Sequence, residues 1–254
     1  MKNVAIFTIV LSALLLFTKV FSGEISSANE KYMSETVSAN SSYRIKNYEK
    51  AFRQYFMLAR NESTTFTSWL ANNQNKLAYM YEEGLGTEKS TDNAIKWYEK
   101  GAVNNDYNSM NSLGNIYFFG KSKVPVDYKK AYNWYMKALN RISEIIEESE
   151  DWNELEQSEK LIKYIRYDNL GWMYLEGNGV NKDIYRAWKF FNESAKYRGD
   201  GYSYYMVGYM SEHEELHPSG TKRLDLALKY YNFAVDKGYE KAKIALDNLM
   251  ETME

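Results

Sequence analysis

The chain has 254 residues, a formal net charge of −2, 24 tyrosines, two histidines, two prolines and no cysteine. Its length suits one or two domains or one array of repeats, and its 44% apolar content indicates a folded protein. The absence of cysteine excludes disulfides, thiolate metal sites and a cysteine nucleophile, and the near-neutral charge gives no indication of nucleic-acid binding.

Residues 1–22 show the three-part pattern of a secretory signal peptide. A lysine opens the segment, an apolar stretch of about 14 residues follows, and small residues precede a cleavage position at Gly23. The stretch is shorter than the ~20 residues that cross a bilayer, which favours a signal peptide over a membrane anchor. We therefore expect the protein to be exported. The periplasm is the expected location, and secretion into the medium is the alternative. The polar composition of 23–42 predicts a flexible start to the mature chain.

A repeat of about 36 residues runs through the mature chain. In each copy a large apolar residue precedes a small one, and an alanine further on precedes an aromatic residue by three positions. The small residues are Ala78, Gly114, Gly171 and Gly208, and the later pairs are Ala94/Trp97, Ala131/Trp134, Ala187/Phe190 and Ala227/Tyr230.

This spacing predicts one helical hairpin in each repeat. Apolar positions three and four residues apart share a helix face. The small residue allows the second helix to approach closely, and we expect the aromatic residue of each pair to fill the adjacent space. Gly84, Gly120 and Gly177 are placed to end the first helices in a left-handed turn.

Such hairpins bury both faces only when they stack. We predict a single α-solenoid over 43–254, with four to five hairpins. Residues 48–60 are expected to form the second helix of a divergent leading hairpin. A capping helix with Ala242, Leu246 and Leu249 is expected to close the array.

The repeats resemble the Sel-1-like family, which is related to the tetratricopeptide repeats. The family pattern A-x-x-x-L-G-x-x-Y-x-x-G-x-G-V-x-x-D-x-x-K-A-x-x-W-x-x-K-A-A is matched best over 170–195 and partly over 77–102 and 113–139. The fourth copy is degenerate, because Ser211 replaces the expected tyrosine and the glycine-rich loop is missing. The resemblance implies an all-α, right-handed solenoid of stacked helix-turn-helix repeats, which binds protein and needs no cofactor.

An insertion separates the second and third repeats near 141–161. Eight acidic residues and no basic ones lie between Ser143 and Glu159, with apolar residues interspersed at helical spacing. This pattern predicts two antiparallel helices that extend beyond the repeats and reverse near 150–151. The segment is either a solvated acidic face or a prong that docks on a basic partner or binds a divalent cation.

The chain's only histidines form the sequence H-E-x-x-H, from His213 to His217. On a helix this spacing presents two zinc ligands, with Glu214 as the base of a hydrolase. However, Pro218 disfavours helical geometry at His217, and the sequence offers no third histidine. We therefore predict a polar, exposed helix end without a metal site, and keep His213 and His217 as the candidate ligands should zinc bind.

By analogy with tetratricopeptide arrays, the first helices of the hairpins are expected to line a concave groove. Aromatic residues beside amides and acids would suit protein binding, although several of these rings could instead be core. The predicted partner-binding residues are Tyr79, Asn115, Phe118, Trp172, Tyr205 and Tyr209.

These features favour an exported protein–protein interaction module over an enzyme. The resemblance implies a range of functions, from which we prefer a periplasmic immunity protein that neutralises a secreted antibacterial effector, for example a phospholipase toxin. An envelope adaptor or a host-interaction factor is the alternative. A zinc-dependent hydrolase that uses the histidine motif is the third alternative.

Overall fold

The structure is a computed structural model and describes residues 27–61, 64–148, 161, 163 and 165–253. Every regular element in these ranges is helical, apart from an isolated bridge between Lys121 and Val124. The predicted all-α class is therefore confirmed. The predicted signal peptide lies outside the described residues. Within the described ranges, no helix has both the length and the apolar character needed to cross a membrane.

The helices follow one another as hairpins, and we call the first helix of each hairpin the A helix and the second the B helix. The A helices are α1 (27–44), α3 (Thr67–Glu83), α5 (Tyr107–Phe119), α7 (Tyr167–Glu176) and α9 (Gly201–Glu212). The B helices are α2 (Tyr48–Leu58), α4 (Thr91–Val103), α6 (Tyr128–Glu147), α8 (Ile184–Arg198) and α10 (Leu224–Asp236). A 3₁₀ helix (Glu214–Leu216) follows α9, and α11 (Glu240–Met253) packs on α10 as the predicted final helix.

The described residues group into two compact units, whereas the sequence predicts one array over 43–254. The first unit ends at Asp106 and contains two hairpins, and the second begins at Tyr107 and contains three hairpins and α11. In both units the A and B helices of a hairpin pack against each other.

The prediction of a flexible segment over 23–42 was wrong for its described part, because α1 is an ordered A helix. Tyr32 is 2% exposed, and its hydroxyl donates to the Leu58 carbonyl at 3.1 Å. Thr36 and Ala39 are buried at helical spacing from Tyr32, and Asn73 donates to the Tyr32 and Thr36 hydroxyls at 2.9 Å. Three buried positions at this spacing give α1 a packed face despite its polar composition.

Glycine and short polar side chains define the turns between A and B helices. Gly84 and Gly177 end α3 and α7 with φ values of 72° and 76°, which confirms the predicted left-handed turns. At the start of the next B helices, Asp127 and Asp183 accept from backbone amides of α6 and α8, each at 2.9 Å. These caps satisfy amides that have no partner inside the helix.

A second glycine in two of these turns joins neighbouring hairpins. A Cβ atom on Gly86 would overlap the Tyr48 carbonyl oxygen at the start of α2. A Cβ atom on Gly179 would lie 2.5 Å from the Tyr128 carbonyl carbon at the start of α6. Each turn therefore packs backbone against backbone on the preceding B helix, with no room for a side chain.

The aromatic ring of each B helix that is most deeply buried lies one position later in the sequence than predicted. Trp97, Trp134, Phe190 and Tyr230 were expected beside the small residues, but they are only half-buried. The most deeply buried rings lie four residues after each alanine, at Tyr98, Tyr135, Phe191 and Tyr231, all at most 1% exposed. Positions i+3 and i+4 both lie on the side of the helix that carries the alanine, so the position of the partner helix decides which ring is buried.

Candidate binding groove

Aromatic side chains surround an open groove of about 430 Å³ in the second unit. Its walls come from α5, α7, α9, the first residue of α6 and the turn before α6. We call this feature the aromatic groove, and it is lined by Phe118, Phe119, Val126, Tyr128, Asp168, Asn169, Trp172 and Tyr202.

The rings of the groove support one another by edge-on contacts. Phe118 lies 6.0 Å from Trp172 and 5.5 Å from Tyr128, with interplanar angles of 74° and 73°. Trp172 and Tyr128 are 6.2 Å apart. Such arrangements bring the positive edge of one ring to the negative face of another. Phe119 and Val126 remain 61% and 47% exposed, so the groove offers apolar surface to solvent.

Hydrogen bonds hold the polar base of the groove. Asn169 is buried and donates to the Tyr135 hydroxyl at 2.7 Å, and that hydroxyl donates to Asn115 at 2.9 Å. This chain links α7, α6 and α5, so the A helices that carry the rings are tied to the B helix behind them. Burial raises the pKa of Tyr135, with a smaller opposing effect of the Asn169 hydrogen bond, so the hydroxyl stays a donor at neutral pH.

Charged groups lie in and beside the groove. Arg198 on α8 contacts Asp168 at 2.8 Å and Asp200, the residue that caps α9, at 3.4 Å. Burial, and after it the charge of Asp168, raise the pKa of the Tyr202 hydroxyl to about 12. The carboxylate of Asp168 therefore contributes negative potential inside the groove.

A row of tyrosines continues from the groove along α9. Tyr202 lies 6.0 Å from Tyr239, which lies 5.2 Å from Tyr205. Tyr205 stacks on Tyr209 at 6.1 Å, and Tyr209 lies 4.3 Å from the His213 ring. We call these five residues the tyrosine row.

The six predicted binding residues take different positions in the structure. Phe118 and Trp172 line the aromatic groove, and Tyr205 and Tyr209 belong to the tyrosine row. Asn115 holds the Tyr135 hydroxyl behind the groove.

Tyr79 belongs to the first unit, where it is 41% exposed. The other lining residues, Phe119, Val126, Tyr128, Asp168, Asn169 and Tyr202, are not among the six predicted ones. Val126, Tyr128 and Asn169 do not recur at an equivalent position in the other repeats. Partner binding by all of these residues stays a prediction.

The H-E-x-x-H motif does not adopt the helical geometry of a zinc site. His213 ends α9 with φ −104° and ψ 117°, a 3₁₀ helix follows, and His217 has φ −91° and ψ 136°. His213 Nδ1 lies 2.8 Å from the Tyr209 carbonyl oxygen, and His217 Nδ1 lies 2.6 Å from the Ser219 hydroxyl. In the part of the chain that the structure describes, no group of three metal-ligating side chains is present.

The expectation of an exposed helix end at this motif was wrong for His217. Its side chain is 8% exposed and lies edge-on to Trp188, with ring centroids 5.8 Å apart. Burial lowers the pKa of the imidazole, and the charge of Arg223 lowers it further while Asp225 opposes the change. The lowered pKa favours the neutral form of the imidazole, which suits its packed position.

The first part of the predicted acidic extension continues α6. This helix has 20 residues, compared with 13 in α4, and Arg141 near its end contacts Glu144 at 3.0 Å and Glu148 at 3.5 Å. The predicted reversal near 150–151 lies outside the described residues.

Comparison with known proteins identifies the repeats. The Sel1 repeat model matches residues 74–106, 108–141, 167–196 and 201–239, which make up more than half of the chain. The chain belongs to the Sel1 repeat family. Sel1 repeat proteins are generally protein–protein interaction modules and are typically not enzymes.

Two solved structures are similar to this chain. One, from Oxalobacter formigenes, is 24% identical, with 84% of this chain and 86% of that chain covered and a TM-score of 0.44. Another is a protective antigen of uropathogenic Escherichia coli strains with an SLR fold, 23% identical, with 89% and 50% covered and a TM-score of 0.46. No curated protein sequence matches this chain.

The aromatic groove spans three Sel1 repeats. The repeat at 108–141 supplies Phe118, Phe119, Val126 and Tyr128, the repeat at 167–196 supplies its three α7 residues, and the repeat at 201–239 supplies Tyr202. A single hairpin therefore cannot form the groove, and stacking of repeats creates it.

Proposed function

We propose that this Sel1 repeat protein binds a partner protein through the aromatic groove. The exposed apolar surface of Phe119 and Val126 beside the half-buried Trp172 carries the proposal. Rigid aromatic side chains in a concave site supply most of the free energy of protein association, because they bury large areas at a small entropic cost. The general role of the family as interaction modules supports the same function.

The dimensions of the groove favour a segment of the partner over a folded surface. A volume of about 430 Å³ falls in the range of ligand pockets and accommodates a few side chains. The tyrosine row continues from the groove along α9, so a longer segment could extend its contacts there. We therefore propose that an extended segment of the partner lies in the groove.

A capture experiment with matched variants tests this function. The tagged mature chain is incubated with envelope extract from its own organism, and bound proteins are identified by mass spectrometry. Phe119→Ala and Val126→Ala change exposed side chains and should preserve the fold while reducing capture at least tenfold. Tyr185→Ala removes a ring that is 64% exposed outside the groove, and it should capture the partner like the wild type. A partner retained equally by all four proteins would contradict the proposal.

We further propose that the protein is exported to the periplasm and acts there as an immunity protein against a secreted antibacterial effector, such as a phospholipase toxin. The pattern of residues 1–22 and the interaction function of the family support this more specific role. Co-expression with a periplasm-directed candidate effector should protect cells, and Phe119→Ala should abolish the protection. Absence of protection against the candidate effectors would favour an envelope adaptor or a host-interaction factor instead.

A further inference from the structure

We infer that the aromatic groove accepts an arginine side chain from the bound segment. This inference rests on the proposed function, since it specifies the chemistry of the partner at the same groove.

The charges that line the groove favour a cationic occupant. The eight lining residues include one carboxylate, Asp168, and no lysine, arginine or histidine. Asp168 is 15% exposed in its side chain, and Arg198, its ion-pair partner, is shared with Asp200. Two carboxylates therefore share one guanidinium beside the groove. An acidic segment would meet repulsion there and would find no basic side chain to pair with.

The negative potential extends to other polar groups of the groove. After burial, the charge of Asp168 is the largest contributor to the raised pKa of Tyr202 on the adjacent helix. Arg166 is close enough to Tyr135 to oppose the rise in its pKa, but it is not among the residues that line the groove. The side chains that an occupant would touch thus present one negative charge and several hydroxyl or amide groups.

The aromatic faces of the groove complete a site for a planar cation. A guanidinium is attracted electrostatically to the face of a tryptophan or tyrosine ring and stacks flat on it. Elsewhere the protein covers such faces with its own cations: Lys137 lies 4.3 Å from the ring centre of Trp134, and Lys100 lies 4.9 Å from that of Trp97. Trp172 lies in a groove whose lining supplies no cation. A partner arginine would provide one, with Asp168 as its counter-ion.

The rest of the lining suits the neighbours of that arginine. Phe119, at the end of α5, and Val126, in the turn that follows it, expose apolar surface within the same groove. We therefore expect the segment to combine an arginine with adjacent apolar residues. Such a segment buries the stem of the arginine while its head remains paired.

Binding of synthetic peptides to the mature chain tests the inference. The probes are acetyl-Gly-Leu-Arg-Leu-Gly-amide and the same peptide with citrulline, a neutral isostere of arginine, and their affinities are measured by calorimetry and by tryptophan fluorescence. We expect the arginine peptide to bind at least fivefold more tightly, with a preference that weakens as salt increases. Asp168→Asn should bring the ratio of the affinities for the arginine and citrulline peptides close to one. The control Asp92→Asn, on the exposed first turn of α4, should leave this ratio unchanged.

A second variant guards against loss of the fold in Asp168→Asn, which also breaks the Arg198 ion pair. Trp172→Leu keeps the carboxylate and removes the aromatic face, and it should lower the affinity for the arginine peptide more than that for the citrulline peptide. Equal binding of the two peptides to the wild type, or an unchanged preference in a folded Asp168→Asn protein, would overturn the inference. If Phe119→Ala still reduces partner capture at least tenfold in that case, the proposed function stands without the arginine.

Discussion

Replacing the small residue of the A helices by alanine should affect stability differently from one repeat to the next. The position is alanine in the first Sel1 repeat and glycine at 114, 171 and 208 in the others. A Cβ atom on Gly114 would overlap the ring of Tyr135, whereas one on Gly171 would lie 3.1 Å from the ring of Phe191. We predict that Gly114→Ala is clearly destabilising and that Gly171→Ala is nearly neutral.

The magnitudes follow from two opposing effects. Glycine to alanine in a helix interior stabilises by up to about 1 kcal/mol, and overpacking a well-packed core costs about 1–3 kcal/mol. Tyr135 cannot move away without disturbing its hydroxyl, which contacts Asn169 at 2.7 Å and Asn115 at 2.9 Å. Each of these hydrogen bonds contributes about 1 kcal/mol.

Phe191 has no hydroxyl and needs to move only slightly to accept the new methyl group. We therefore expect Gly114→Ala to lower the free energy of unfolding by about 1–3 kcal/mol and Gly171→Ala to change it by less than about 1 kcal/mol.

Urea unfolding followed by circular dichroism at 222 nm measures both changes, and equal slopes for the variants would validate the comparison. Gly208→Ala provides an intermediate case, because its Cβ atom would lie 2.7 Å from the Tyr231 ring. If Gly171→Ala lost as much stability as Gly114→Ala, or if Gly114→Ala matched the wild type, the hydrogen bonds that fix the neighbouring ring would not determine the effect of the substitution.

Three further predictions concern buried and capping groups. His217 has a lowered pKa, so folding favours its neutral form, and stability should fall as the pH drops below about 6.5 and through the folded pKa. Between pH 7 and pH 5, the urea midpoint of His217→Gln should therefore drop less than that of the wild type. Tyr98→Phe removes a 2.6 Å hydrogen bond to the Glu82 carboxylate and should cost about 1.5–3 kcal/mol in urea unfolding, and an unchanged midpoint would contradict this. Asp183→Ala removes the cap of α8 and should cost about 1 kcal/mol, whereas Asp183→Ser should restore most of it.

Local rules of the chain predicted the repeats and their turns well. Gly84 and Gly177 adopt the expected left-handed conformation. Asp183, the aspartate of the family pattern, caps the helix that follows it. These features depend only on residues a few positions apart, so each repeat carries enough information to specify its own hairpin.

Features that depend on packing between helices were harder to predict. The polar composition of 27–42 concealed the buried face of α1, because three residues, including Tyr32, suffice to anchor it on α2 and α3. Aromatic residues at i+3 and i+4 after the alanine look equivalent in sequence, and only the position of the partner helix decides that Tyr135, and not Trp134, is buried.

The aromatic groove shows the same limit. Phe118 and Trp172 were predicted from their register in the A helices, but Val126 lies in a turn and Tyr128 begins a B helix. Their contribution to the groove lining depends on how the turn folds back beside α7, and the repeat pattern of the sequence does not predict this.

The turn glycines also determine where this protein can be modified. An insertion beside Gly86 or Gly179 would separate the turn from the preceding B helix, since backbone atoms already touch there. The turn after α9 is different, because a Cβ atom on Gly220 would have no atom within 4 Å. A fluorescent reporter or an affinity tag inserted at Gly220 would therefore leave the packing of the hairpins undisturbed.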